Sequence, residues 1–179
     1  MSIIEQREVG RDTNSFADAL KYFQEEDGDV LYLEQMSPSE IIPSVLEIAS
    51  NSLVVTSMAA DTATKTIAAI IDSFTSFDQE RVKDLLASSL RAVVCQKMIP
   101  RAGGGVKVIC EVLLANNSVK SIISSGNINQ LEGIIQTSRQ EGMISFNQAL
   151  SEAVKRGEIK PAEALAHAPN AAVLQDLIR

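Results

Sequence analysis

Three consecutive glycines, Gly103–Gly105, are the first candidates for phosphate chemistry in this chain of 179 residues. A phosphate loop needs glycines that let the backbone wrap phosphate oxygens, followed by Lys-Ser or Lys-Thr at the start of a helix. No glycine here is followed, five residues on, by a second glycine and a lysine. The alternating run Val106–Leu114 comes next, so we interpret the glycines as a β-hairpin turn.

The remaining reactive side chains do not form a recognisable active site or metal site. The single histidine, His167, lies at the end of a predicted helix, where we expect a solvated or packing role. Cys95 and Cys110 are isolated and flanked by apolar residues, which favours buried free thiols over a disulfide framework or a zinc cluster. The carboxylates are scattered over helix faces. We therefore expect no self-contained catalytic centre and no metal ligands.

Composition limits the classes of partner. A net charge of −7 argues against a nucleic-acid binder, because such proteins need a basic surface. Aromatic residues make up only 4%, which weakens any base-stacking role. The chain has neither a secretory signal pattern nor an apolar run of about 18 residues. We expect a cytoplasmic protein.

Strand-like and helix-like patterns alternate over the first 115 residues. Strands are predicted at Ile3–Val9, Val30–Leu33 and Leu53–Met58, and the last two read as buried parallel strands. Helices are predicted from Ser15 (apolar face Phe16, Leu20, Phe23), from Ser37 or nearer Pro43, after Asp61 (Ile67, Ile70, Ile71, Phe74), and from Ser76 (Val82, Leu85, Leu86, Leu90, Val93, Val94). The hairpin with Val108, Cys110 and Val112 follows.

Beyond Asn116 only helical patterns remain. Helix starts are predicted at Asn127 and at Ser145, and Gly126, Gly142 and Gly157 mark ends or turns. The pattern predicts an α/β core of parallel strands at residues 1–115, followed by an α-helical C-terminal subdomain at residues 116–179.

Three stretches resemble the pilus-retraction motor ATPases (the PilT family) and, more broadly, the type II/IV secretion ATPases. They are Ser2–Thr13, Ala63–Ile67, and Ile134–Met143 followed by Gln148–Leu150. The resemblance runs from Ser2 to the end of the chain. It implies the second half of a RecA-like P-loop core, here incomplete, with ATP and magnesium as the family's cofactors.

The same resemblance implies lost catalytic elements. In the family, the phosphate loop precedes the counterpart of Ser2, so we expect it to be absent here, and with it nucleotide binding. The family's Walker B strand ends in Gly-Glu-Met-Arg-Asp. An ungapped match places Glu34 at the glycine and Gln35 at the glutamate that polarises water. The two histidines of the His box correspond to Ser52 and Ala59.

A third motif, Ala-Ile-Arg-Asn-Leu-Ile in retraction motors, corresponds to Ser118–Ile123. It keeps the apolar spacing and replaces arginine with lysine. We interpret Val119, Lys120, Ser121, Ile122 and Ile123 as an interaction surface, the alternative being a helix that packs only on its own core.

Three functions compete on this basis. The first is a catalytically inactive interaction or regulatory module of type IV pilus or secretion machinery, without a cofactor of its own. The second is a fragment or split chain of an active ATP-hydrolysing motor, and the third is a decaying gene product. Expected partners are further copies of the chain, an intact motor ATPase or an inner-membrane platform protein that would hold it near the membrane. Because Leu53–Met58 would otherwise be an open edge, we expect it to be covered by rearrangement of the hairpin, by a partner chain or by another copy of the chain, of which we favour the last.

Overall fold

The computed structural model describes residues 3–36 and 39–179, and their contacts divide the chain into two compact units. Unit 1 contains the chain up to Ala59 together with Ile70–Leu90, and unit 2 contains Ala60–Ala69 and Arg91–Arg179. The hairpin thus belongs with the helical tail, whereas the sequence-based division followed fold type and placed a boundary at residue 115.

The elements have the following bounds. The helices are α1 (Phe16–Glu25), α2 (Ile42–Ile48), α3 (Ala63–Asp72), α4 (Gln79–Ser89), α5 (Asn117–Ser125), α6 (Leu131–Thr137), α7 (Phe146–Lys155), α8 (Pro161–His167) and α9 (Ala171–Ile178). The strands are β1 (Val30–Leu33), β2 (Leu53–Thr56), β3 (Ala92–Pro100) and β4 (Val106–Leu114). Short 3-10 turns lie at Ser39–Ile41, Ile128–Gln130 and Arg139–Glu141.

In unit 1, β1 and β2 form a two-stranded parallel sheet, which confirms both predicted strands. Their predicted burial is wrong, because only one face of the sheet is covered. The core of the unit consists of apolar side chains from the helices and the ends of the strands: Leu20, Leu33, Met36, Ile42, Val45, Leu46, Ile48, Val82 and Leu86. The uncovered face carries Val30, Tyr32, Leu53 and Val55, which we call the open face.

The strand predicted at Ile3–Val9 is wrong. The segment has no strand structure apart from a single bridge between Val9 and Thr13, and all its residues are exposed. A strand requires a hydrogen-bonding neighbour, and no strand in the described ranges lies beside this segment. The residues of the segment alone could not reveal whether such a neighbour is present.

Two of the predicted helix starts in unit 1 are present, whereas the helix predicted from Ser76 begins three residues later, at Gln79. The side chain of Ser15 accepts the Asp18 amide, as predicted. Helix α2 begins at Ile42 with Pro43 in its first turn, which confirms the later of the two predicted starts. The capping pattern proposed at Ser37 involves residues outside the described ranges.

Two helix predictions need correction. Helix α4 ends at Ser89, so Val93 and Val94 belong to β3 and not to the helix face. Leu90 has extended backbone angles, which stop the helix, and the β-branched residues that follow suit a strand. The second correction concerns α3, for which we predicted Asp61 as the capping residue. The Thr62 side chain accepts the Lys65 amide at 3.2 Å instead, whereas Asp61 pairs with the Lys65 ammonium.

In unit 2, β3 and β4 pair antiparallel over nine residues each, as predicted. Ile99, Ile109 and Leu113 point into the core, so Val108 and Cys110 fall on the outer side of the hairpin. Helix α7 packs on β4 and α9, and the core includes Ile123, Leu131, Phe146, Leu150 and Leu174. The predicted capping box of Ser145 and Gln148 is present at the start of α7.

Candidate functional site

The carboxyl ends of β1 and β2 are the place where a parallel sheet offers a ligand site. Residues 34–36 follow β1 and residues 57–59 follow β2. The two loops are tied together, because the Met36 amide donates to the Ser57 carbonyl at 2.9 Å and the Ser57 hydroxyl donates to the Glu34 carbonyl. This edge, rather than the hairpin, is the candidate site.

Gln35 lies at this edge with an exposed side chain, next to the exposed Glu34. An amide can orient a water molecule through hydrogen bonds, but it does not accept a proton as a carboxylate does. Ala59 is also at the carboxyl edge and is exposed. Its methyl group can neither donate a hydrogen bond nor carry charge.

The structure does not bring Ser52 to the same edge. Ser52 precedes β2, whose four residues at about 3.3 Å each separate it from the carboxyl ends. Its hydroxyl donates to the Gly28 carbonyl at 2.9 Å, at the opposite end of the sheet. Within this chain Ser52 therefore links the amino ends of the two strands. Of the three predicted positions, only Gln35 and Ala59 lie at the candidate site.

Charge distribution is a signal that the residue-by-residue reading missed. Between Lys21 and Lys65 the sequence contains no lysine, arginine or histidine. This interval includes both parallel strands and both loops at their carboxyl ends. Phosphate groups in protein sites are held by cationic side chains or by backbone amides at a glycine-rich loop. The strands and loops at this edge therefore contribute no cationic side chain. A count of the charges along each segment of the sequence would have shown this.

The hairpin turn is confirmed and is not a phosphate loop. The Arg101 amide donates to the Gly105 carbonyl at 3.0 Å and the Gly104 amide donates to the Arg101 carbonyl at 3.1 Å. Gly104 and Gly105 have φ of 94° and 78°, which glycine adopts readily. The turn joins two antiparallel strands, so its amides do not face a helix start.

Helix α5 places only part of the proposed interaction motif at the surface. Val119 and Ile123 are fully buried in unit 2, whereas Ser121 is exposed and Lys120 and Ile122 are half-buried. A partner could touch the last three but not the first two. The apolar spacing that we read from the sequence serves the packing of this helix.

The thiols and the histidine lie apart from the edge. Cys95 is buried beside the Thr66 hydroxyl, 3.8 Å from its sulfur, and burial raises the pKa of the Cys95 thiol. Both cysteines are free, and His167 ends α8. In residues 3–36 and 39–179, no cluster of three or more His, Cys, Asp or Glu side chains could hold a metal ion. None of the described helices is long and apolar enough to cross a membrane.

One buried carboxylate escaped the sequence analysis. Glu111 on β4 is only 6% exposed, and its two oxygens accept the backbone amides of Ala63 and Phe146 at 2.7 and 3.3 Å. Burial raises the pKa of Glu111, and the two amide hydrogen bonds act in the opposite direction. A single acidic residue within the apolar run Val106–Leu114 was the available signal.

Comparison with known sequences gives relatives that include pilus and twitching-motility proteins, although no family model matches the chain. A twitching motility protein of Neisseria gonorrhoeae is 34% identical over 171 residues, which are 94% of this chain and 46% of that protein. The type IV pilus ATPase PilU of Pseudomonas aeruginosa is 32% identical over 179 residues, 99% of this chain and 47% of PilU. The retraction ATPase PilT of the same organism is 30% identical over 158 residues, 88% of this chain and 46% of PilT.

Solved structures agree. The crystal structure of the pilus retraction motor PilT with bound ADP superposes with a TM-score of 0.89 at 32% identity, over 97% of this chain and 49% of that one. The ATPase DotB of Legionella pneumophila matches with a TM-score of 0.81 at 17% identity, over 93% of this chain and 46% of that one, which supports the fold alone. The predicted α/β fold class is thereby confirmed. The chain spans about half the length of the relatives it matches.

Proposed function

This chain is related to the pilus-retraction motor ATPases over about half of their length, and we propose that it acts as a non-hydrolysing interaction or regulatory module of type IV pilus or secretion machinery. The proposal distinguishes the fold of the relatives from their catalytic activity. This chain keeps the fold over the matched half, and it has fewer side chains at the strand ends that could act on ATP.

The observation that carries the proposal is the lack of cationic side chains in the segments around the candidate site. A nucleoside triphosphate carries several negative charges, and motors of this type stabilise these charges with positive groups and magnesium. The interval between Lys21 and Lys65 supplies none. The hairpin glycines lie in an antiparallel turn, where the Gly104 amide donates to the Arg101 carbonyl, and the strand β4 rather than a helix follows them. The segments that form the candidate site therefore offer ATP no cationic side chain, and we propose that this chain holds no nucleotide by itself.

Gln35 supports the same reading. Activation of an attacking water needs a group that orients the water and attracts its proton, and an uncharged amide performs only the first task. Ala59 on the neighbouring loop contributes no polar atom from its side chain.

Hydrolysis and binding tests address the catalytic half of the proposal. The purified chain with Mg-ATP should release no phosphate above a protein-free blank, and a fluorescent ATP analogue should show no saturable binding. An intact PilT-type motor serves as the positive control. Gln35→Glu should stay inactive, because it adds a base without a phosphate site. Turnover by the wild-type chain or by this variant would disprove the proposal.

A regulatory role requires a partner protein. We propose that this partner is an intact motor ATPase of the same kind or the inner-membrane platform protein of a pilus machine, which the chain would contact from the cytoplasmic side. The exposed part of α5 is the contact that we test. Lys120→Glu with Ser121→Glu should weaken co-purification with the motor and reduce the change that the chain causes in its ATPase rate. A matched exposed control on the same helix is Ser124→Glu. Unchanged association of the Lys120 and Ser121 variant would assign α5 to packing alone.

A split-enzyme function is the second candidate, supported by the superposition of 97% of this chain on half of a complete motor. In that case the other half would supply phosphate-binding groups in trans. Mixing this chain with a separately expressed polypeptide that corresponds to the unmatched half of PilT would then restore Mg-ATP hydrolysis. A mixture that associates without hydrolysis would favour the non-hydrolysing module.

A further inference from the structure

In unit 2, the tip of the β3–β4 hairpin lies beside the turn between α7 and α8. The Ala102 amide at the tip donates to the Glu158 carbonyl in the turn at 2.9 Å. The Lys107 ammonium, at the start of β4, lies 2.9 Å from a carboxylate oxygen of the same Glu158. These contacts join the two loops, so the charged side chains that the loops carry form one surface.

We call these two segments, residues 101–107 and 155–160, the basic surface. They are rich in lysine and arginine, although the net charge of the chain is −7. The cations are Arg101, Lys107, Lys155, Arg156 and Lys160, and the only carboxylate in the two segments is Glu158. Lys107 is half-buried and the other cations are exposed. Positive charge is therefore concentrated at one place on a chain that is acidic overall.

The carboxylate of the basic surface is already neutralised from within. The hydrogen bond from the Lys107 ammonium lowers the pKa of the Glu158 carboxyl, and the charges of Arg156 and Arg101 act in the same direction. Arg156 also pairs with Glu152 of α7 at 3.2 Å. Glu158 and Glu152 thus engage Lys107 and Arg156, and they leave the other cations of the surface without a direct partner.

Three cations remain for an external anion. In the described part of the chain, the side chains of Arg101, Lys155 and Lys160 form neither a salt bridge nor a hydrogen bond, and all three are exposed. Arg101 belongs to the hairpin tip, and the two lysines flank the turn. The free positive charge is therefore shared between both loops.

The headgroup layer of an anionic membrane fits this arrangement better than a nucleic acid or a folded acidic protein. Such a layer attracts cations by its charge density and requires no matching shape, which suits long side chains that no hydrogen bond holds in place. Aromatic residues for base stacking make up only 4% of the chain. The acidic remainder of the chain is repelled by the layer, so the basic surface is the part that turns toward it.

We propose that the basic surface binds the anionic headgroups of a lipid membrane, with Arg101, Lys155 and Lys160 against the lipid phosphates. Each cation adds a modest attraction, and a basic patch without an inserted lipid chain holds a protein only reversibly. Binding should therefore be weak and sensitive to salt. This contact requires no pilus motor, so it is independent of the function proposed above.

Co-sedimentation of the full chain with lipid vesicles tests the contact. Vesicles of equimolar phosphatidylglycerol and phosphatidylcholine should bind the chain at low salt, whereas vesicles of phosphatidylcholine alone should not. About 1 M NaCl should release the bound chain, because the screening length then falls to about 3 Å. Binding to both kinds of vesicle, or to neither, would overturn the proposal.

Reversal of charge in the basic surface tests its role. Arg101→Glu with Lys160→Glu changes one exposed side chain in each loop and should weaken vesicle binding about tenfold or more. The matched control is Arg91→Glu with Lys21→Glu, which changes the net charge equally at exposed positions outside the basic surface. The control should bind nearly as well as the wild type. Urea denaturation of both variants checks that each remains folded.

The last comparison separates the basic surface from the charge of the chain as a whole. Equal loss of vesicle binding in the two variants would mean that net charge alone governs the association, and it would overturn the assignment. Polyglutamate serves as the probe for an acidic protein. Retention of the chain by polyglutamate beads without binding to the anionic vesicles would also overturn the lipid assignment, in favour of an acidic polypeptide.

Discussion

The carboxylate of Glu111 accepts the backbone amide of Ala63 at 2.7 Å, which places a strand residue at the first turn of α3. Its other oxygen accepts the amide of Phe146 at the first residue of α7, at 3.3 Å. The first amides of a helix have no partner within the helix, and they favour negative charge. One side chain on β4 thus satisfies two helix starts inside unit 2.

Replacement of Glu111 should destabilise the protein in proportion to the acceptors lost. Glu111→Gln retains one acceptor oxygen for two donors, and Glu111→Ala retains none. A buried donor without a partner costs about 1–3 kcal/mol, so we expect a decrease in the free energy of unfolding of about 1 kcal/mol for Gln and about 2–3 kcal/mol for Ala. Urea denaturation at pH 7 measures both.

The control for these variants is Glu132→Gln, an exposed carboxylate on α6. Its replacement should change the free energy of unfolding by less than about 0.5 kcal/mol. Equal stability of Glu111→Ala and Glu132→Gln would show that the two amide contacts contribute nothing to stability.

The stabilisation from Glu111 should depend on pH. Burial raises the pKa of this carboxyl above its ordinary value, so the folded state holds the proton more tightly than the unfolded state does. Its titration therefore contributes stability that is fully present below the unfolded pKa and is lost as pH rises through the folded pKa. The difference in unfolding free energy between wild type and Glu111→Gln should be larger near pH 4.5 than at neutral pH. A constant difference over that range would contradict the shift.

Ser52 should act as a structural link. Ser52→Ala removes the hydrogen bond from its hydroxyl to the Gly28 carbonyl and should lower the free energy of unfolding by about 1 kcal/mol. Ser76→Ala, at an exposed position of unit 1, is the matched control. If both variants were equally stable in urea, the hydrogen bond would have no measurable role.

The two thiols should differ in reactivity. Cys95 is buried with its pKa raised by that burial, whereas Cys110 is only half-buried on the outer side of the hairpin. Thiolates react and thiols do not, so iodoacetamide should modify Cys110 at least tenfold faster than Cys95 in the folded chain. Mass spectrometry of the digested protein measures both rates. If iodoacetamide modified Cys95 at the same rate in the folded chain and in urea, the fold would not protect this thiol.

The capping and turn signals in the sequence predicted local structure well, because they depend on neighbouring residues. Ser15, the Ser145–Gln148 pair and the glycine turn all act within a few residues. The strand proposed at Ile3–Val9 failed because pairing depends on a distant partner. Burial of β2 was also overestimated, since an apolar strand reads the same whether its second face is covered or open.

The candidate site shows the same limit. The strand ends and Gln35 could be placed from the sequence, but its pairing with Ser52 in one site could not. Gln35 follows the carboxyl end of β1 and Ser52 precedes the amino end of β2, and the parallel pairing of the two strands puts them at opposite ends of the sheet. Glu111 was missed because a lone acid in a strand gives no sign of the two amides it will meet, which come from residues 48 and 35 positions away.

The hairpin turn should respond to alanine at one glycine and not at its neighbour. Gly104 has φ of 94°, where an L side chain is strained, whereas Gly103 has no positive φ and no atom within 4 Å of an added Cβ. Gly104→Ala should lower the free energy of unfolding by about 1 kcal/mol or more. Gly103→Ala should be neutral or slightly stabilising, because alanine reduces the entropy of the unfolded chain. Parallel urea titrations compare them, and equal loss in both variants would mean that turn geometry does not set the stability of the hairpin.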